Sequence, residues 1–155
     1  MVAGLCEAAA MPRARKVLPL QGWYVISLRP LGQHGPLRRQ ATRLGARSFA
    51  VSTLRLAMLP AGEALAEALR CPRVIVTSPA AVHYAAAQLP LKQRAGQHWF
   101  APGAGTAAEL NAAGVERVHF PMRGAGSEAL LDDALLRPLQ GARVGLVTAP
   151  GGRVL

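Results

Sequence analysis

Cysteine is scarce in this chain: Cys6 and Cys71 are the only two, they lie far apart, and neither belongs to a close-spaced ligand pattern. That argues against a disulfide framework and a zinc site, and it suits free thiols in a reducing cytosol. Acidic residues are few, eight Asp and Glu against 18 Lys and Arg, so a catalytic carboxylate pair is hard to assemble. Aromatic residues make up 5%, which weakens any reading as a surface that stacks nucleotide bases. No apolar run reaches the length of a transmembrane helix, so neither a membrane partner nor a membrane location is expected. A secretory leader is not expected either. Met1 to Ala10 is apolar but carries Glu7, and its basic cluster, Arg13, Arg15 and Lys16, follows the apolar run instead of preceding it. Met11 serves equally well as a start, residues 1–22 are expected to be an extension without structure, and the expected location is the cytoplasm.

What is present is enough apolar residue, 51% of 155, to bury a substantial core of one domain or one domain and part of another. The net charge of +10 favours polyanionic partners: nucleic acid, an anionic membrane, or a small molecule rich in carboxylate or phosphate. Charge alone does not choose among them.

Trp23-Tyr24-Val25-Ile26-Ser27-Leu28 reads as a first strand, hydrophobic enough to be buried on both faces, and it ends at Arg29-Pro30-Leu31-Gly32. A helix is expected over Pro36 to Leu44, with Gly45 as its stop. Ser48 to Met58 reads as an extended segment that carries the chain from one domain to the next. Gly62 to Arg70 is a short helix with Leu65, Ala68 and Leu69 on one face. The β-branched run Val74-Ile75-Val76 then makes a strand that stops at Thr77-Ser78-Pro79, with Ser78 placed to cap the following helix and Pro79 to occupy its first position. The pattern recurs: strand His98 to Ala101, turn Pro102 to Thr106, and a helix to Ala113 stopped by Gly114. It recurs again as strand Arg117 to Phe120, loop Pro121 to Gly126 and helix Ser127 to Leu136, before a last strand over Arg143 to Val147.

Strands alternating with helices predict an α/β fold, a parallel sheet flanked by helices of the flavodoxin or Rossmann kind. Residues 23–49 would be the opening strand and helix of a first domain, 50–60 a linker, and 61–155 most of a second. In such sheets ligands sit beyond the carboxyl ends of the strands. The turns there hold hydroxyls, glycines and the arginines Arg29, Arg123 and Arg153, without a carboxylate pair, a metal cluster or a Cys-His couple. A site of that kind, built from main-chain N–H groups, hydroxyls and positive charge, suits an anion. His34, His83, His98 and His119 are scattered and none is expected to be catalytic, while Trp23 and Trp99 are expected to pack.

Three segments carry a further resemblance: Val74-Ile75-Val76-Thr77-Ser78-Pro79-Ala80-Ala81-Val82, then Gly103-Ala104-Gly105-Thr106-Ala107-Ala108-Glu109-Leu110 with Gly114, then Ser127-Glu128-Ala129-Leu130-Leu131. In this order, with Arg29-Pro30 ahead of them and Gly151-Gly152-Arg153 behind, they resemble uroporphyrinogen-III synthase over roughly Trp23 to Leu155. That family folds as two similar α/β domains with a two-stranded connection. The resemblance implies cyclisation of the linear tetrapyrrole hydroxymethylbilane with inversion of its last ring, and it implies no cofactor and no metal. It assigns Thr106 to departure of the hydroxyl, and Arg29, Thr77, Ser78, Gly103, Ala104, Gly105, Ser127 and Gly152 to the polycarboxylate substrate. Against the family's pattern the chain stops before the second domain ends and before the return to the first. The resemblance therefore implies a truncated form of little or no activity, monomeric at full length and prone to associate as it stands.

Each residue also has a plainer reading. Thr106-Ala107-Ala108-Glu109 is a capping box, Ser78 is a helix cap, and Gly103 and Gly105 are required by turn geometry. Two other functions fit parts of the sequence. Gly103-Ala104-Gly105-Thr106-Ala107-Ala108 satisfies a dinucleotide fingerprint, with Arg123 placed for the phosphate of NADP. A basic domain that binds nucleic acid is the other, weakened by the spread of its basic residues.

Overall fold

The computed structural model describes residues 17–122, 126–137, 139 and 141–149. The chain divides into two compact units, one ending at Leu56 and one beginning at Ala57.

The first unit is a β-α-β element. Strand β1 (Tyr24–Ser27) leads into helix α1 (Gly35–Arg43), and strand β2 (Arg47–Ala50) returns parallel to β1 with Tyr24 opposite Arg47 and Ser27 opposite Ala50. The helix stops where expected: Gly45 takes φ +91, a conformation that L side chains rarely adopt, and a Cβ there would lie 2.7 Å from the Leu18 side chain. Leu18–Gln21 form a turn tied to the end of α1 by a Leu20 N–H to Leu44 carbonyl bond of 2.8 Å, so residues 17–22 are attached to the unit instead of trailing from it.

Two expectations are revised here. The segment read as extended from Ser48 begins with a paired strand, β2, whose ladder partner β1 lies more than twenty residues back and leaves no local signal. The first strand is also not buried on both faces. Ser27 is buried and α1 covers its side of the sheet, but Trp23, Tyr24, Ile26, Leu28 and Phe49 are all more than half exposed, and the Tyr24 and Phe49 rings stack at 5.7 Å on the open face. Trp23 therefore does not pack as expected.

The second unit contains helix α2 (Gly62–Ala68), β3 (Arg73–Val76), α3 (Pro79–Ala86), β4 (His98–Phe100), α4 (Ala104–Ala112), β5 (Val118–His119), α5 (Ser127–Leu131) and β6 (Val144–Val147). The strands are parallel in the order β5-β4-β3-β6. Alternation along the strands sorts the core into two layers. Val74, Val76, Trp99 and Ala101 meet Leu65 of α2, Val82 and Ala85 of α3, and Ala107 and Leu110 of α4. Ile75 and Phe100 face the other way, against Leu130 of α5 and Leu136. Trp99 is fully buried, with its indole N–H donating to Gln97 Oε1 at 3.0 Å, and Gln97 Nε2 in turn donates to the Leu69 and Cys71 carbonyls. The helix expected over Ser127 to Leu136 breaks after Leu131. The Asp133 carboxylate accepts the Leu135 N–H at 2.9 Å and starts a separate 3-10 turn, Ala134–Leu136.

Helix α2 rests directly on β6. A Cβ built on Gly145 would lie 2.1 Å from the Ala68 carbonyl oxygen, a backbone atom that has no rotamer by which to move away. Gly145→Ala is expected to destabilise the second unit by about 3 kcal/mol through overpacking, read as a lower urea midpoint; an unchanged midpoint would show that α2 shifts freely.

Candidate anion-binding site at the strand ends

The carboxyl ends of β3 and β4 each open into a helix, and α3 and α4 pack side by side on one face of the sheet. Their amino termini therefore stand at the same edge. At the first, Ser78 is extended (φ −160, ψ 159) and its Oγ accepts the Ala81 N–H at 3.1 Å, while Pro79 fills the first helical position. The cap reading of Ser78 holds. Thr77 extends the β3–β6 ladder by one bond, its N–H donating to the Val147 carbonyl at 3.1 Å, and its hydroxyl donates to Thr148 Oγ1 at 3.0 Å. Thr77 and Thr148 thus mark the place where the strand order reverses, between β3 and β6, which is where open α/β sheets form a ligand crevice.

At the second helix the structure corrects the sequence reading. The capping position is taken by Gly103, not Thr106, with extended backbone (φ 179, ψ 171) and its carbonyl accepting the Ala107 N–H at 3.1 Å. Thr106 is the third residue of α4 and is buried, so the capping box does not form. The Ala-Gly-Thr segment winds into the first turn, with Gly103 ahead of it as the cap. Gly103 and Gly105 are likewise not imposed by turn geometry, since neither has φ in the left-handed region. A Cβ at either would meet nothing within 4 Å; the space before this main chain is open, and a ligand can approach its N–H groups closely. Ala104 is the first helical residue.

Ser127 begins α5, but the cap is Gly126 and the helix has five residues, too few to focus a helix dipole. Gly152, Arg123, Arg153 and Cys6 lie outside the described residues. Arg29 is in the first unit, exposed, just beyond the end of β1. Among the described residues no Lys or Arg stands at the strand-end turns of the second unit. Attraction for an anion there comes from two helix termini and their hydroxyls, each terminus contributing about 0.3–1 kcal/mol. A recess at the other end of the sheet is lined by two arginines, Arg70 and Arg143, and two glutamates, Glu63 and Glu67, so its charges balance, and Arg143 is paired with Glu67; that makes it a poorer anion site.

One residue escaped the sequence reading. His34 is buried, its Nδ1 lies 2.8 Å from Ser27 Oγ and its Nε2 lies 2.7 Å from Ser52 Oγ. Its partners are seven and eighteen residues away, so only the fold brings them together.

A family model described as uroporphyrinogen-III synthase HemD matches residues 35–155. The chain belongs to this family. The match includes both helix termini of the second unit and begins after β1 and Arg29. No curated protein matches the chain. The family acts on a tetrapyrrole in heme biosynthesis, and the dinucleotide and nucleic-acid readings gain no support. The fingerprint glycines stand at β4, one strand away from the β3–β6 reversal. Among the described residues no helix is long and apolar enough to cross a membrane, and no group of three or more metal-ligating side chains occurs.

Ser78→Ala is expected to cost about 1 kcal/mol of stability through loss of the α3 cap, whereas Ser127→Ala should leave the urea midpoint unchanged. Equal effects from the two would contradict the capping assignment.

Proposed function

We propose that this chain is a lyase of the uroporphyrinogen-III synthase type, acting on hydroxymethylbilane in the cytoplasm. The reaction closes the tetrapyrrole ring with loss of the terminal hydroxyl and inversion of the last pyrrole, giving uroporphyrinogen III. The observation that carries the reading is the family match over residues 35–155; the open helix terminus at the carboxyl end of β4 supports it.

The substrate presents many carboxylates on a flexible chain. In this reading the N–H groups of Gly103, Ala104 and Gly105 and the Ser78 hydroxyl hold some of them, Thr77 turns its hydroxyl from Thr148 Oγ1 to a carboxylate on binding, Ser127 and Gly152 are further contacts, and Arg29 is a cation on the first unit. Departure of hydroxide leaves a delocalised cation, so much of the task is to keep the chain folded with the attacking carbon in reach of the acceptor carbon. Thr106, in the first turn of α4, is assigned to the departing hydroxyl, where a hydrogen bond that strengthens as charge develops lowers the barrier. No resident cofactor or metal takes part in this scheme. The open apolar face of the β1–β2 sheet favours association and a low turnover for this chain.

Freshly generated hydroxymethylbilane is expected to give a small excess of the type III isomer over the enzyme-free blank. Thr106→Val is expected to reduce that excess about tenfold, the worth of one hydrogen bond of about 1.4 kcal/mol in the transition state. Type I product alone from the unaltered chain would contradict its reading as an active enzyme and leave its family membership standing.

A further inference from the structure

The loop after β1 is fastened by a chain of polar contacts that neither the family match nor the site assignments use. Ser52 follows β2, and its hydroxyl donates to the Arg29 carbonyl at 2.9 Å. A hydroxyl has one hydrogen, so Ser52 Oγ meets His34 as an acceptor, and Nε2 carries the proton it receives. In the neutral ring Nδ1 is then free to accept from Ser27, whose hydroxyl lies 2.8 Å away and is buried at the end of β1. The relay runs Ser27, His34, Ser52, Arg29 carbonyl, and joins the last residue of β1 to the loop that leaves it.

Backbone bonds hold the same loop from its far side. Val51 N–H donates to the Ser27 carbonyl, Leu31 N–H to the Leu54 carbonyl and Gln33 N–H to the Pro30 carbonyl, each at 3.0 Å. Pro30 has no N–H of its own and fixes its φ, and the Ser52 bond to the Arg29 carbonyl holds the peptide between Arg29 and Pro30. The guanidinium is exposed and in no salt bridge among the described residues. A buried imidazole bridging two hydroxyls is an expensive way to secure a surface loop unless the loop's position matters.

We infer that His34 is a positioning residue: through Ser52 it fixes the main chain of Arg29 at the carboxyl end of β1, so that the arginine meets a carboxylate of a polycarboxylated tetrapyrrole. This rests on the proposed function, from which it takes the ligand class and the role of Arg29.

The test is a mutant cycle with uroporphyrin I, an octacarboxylate, as the fluorescent probe, at fixed salt and on variants with unaltered circular dichroism. Arg29→Ala is expected to weaken binding about tenfold, the worth of charge-assisted hydrogen bonds. Ser52→Ala and His34→Asn should each weaken it about threefold, whereas His34→Gln, whose side-chain amide reaches the place of Nε2, should restore it to within about twofold. Ser52→Ala added to Arg29→Ala should cost nothing further, because a positioning effect vanishes with the group it positions. Ser52 is exposed, so its variant keeps the test decisive if His34→Asn fails to fold. If Ser52→Ala binds like the unaltered chain, or adds its loss to that of Arg29→Ala, the positioning role is overturned while Arg29 stands. If Arg29→Ala binds normally, the Arg29 assignment fails and this inference with it.

Discussion

Everything in the second unit depends on β3 being held on both sides by parallel partners. Its four residues pair with β6 throughout and with β4 along three of them. Parallel neighbours cannot be joined by a hairpin, so each connection must cross the sheet through a helix. From that constraint follow the side-by-side packing of α3 and α4, the gathering of their amino termini at one edge, and the reversal of strand order at Thr77 and Thr148. Val74 and Val76 face one layer and Ile75 the other, so the same three residues also tie the two halves of the core together.

The parts of this arrangement that were legible in the sequence are those whose signal is local. Val74-Ile75-Val76 followed by Ser78-Pro79 states a strand, a cap and a first turn within six residues. Gly45 and Gly114 stop their helices with positive φ as expected. The misreadings have non-local or competing causes. β2 is a strand because β1 is beside it, and Arg47-Ser48-Phe49-Ala50 carries no alternation strong enough to say so. Thr106 matched a capping box, but Gly103, three residues earlier, took the cap and drew Thr106 into the helix. His34 gave no motif at all, because Ser27 and Ser52 reach it only through the parallel pairing of β1 with β2.

The two units would meet an anion with different groups. In the second, the described strand ends offer main-chain N–H groups and hydroxyls without a nearby cation, an arrangement that binds by preorganised dipoles. In the first, Arg29 is a full charge whose main chain is secured by the Ser27–His34–Ser52 relay.

Amide hydrogen exchange with and without uroporphyrin I measures directly where a polycarboxylated tetrapyrrole lies on the chain. Binding at the strand ends predicts slowed exchange over Thr77–Ala81 and Gly103–Ala107. Protection confined to the Gly62–Pro72 recess, or to the exposed face formed by Tyr24, Ile26 and Phe49, would contradict it.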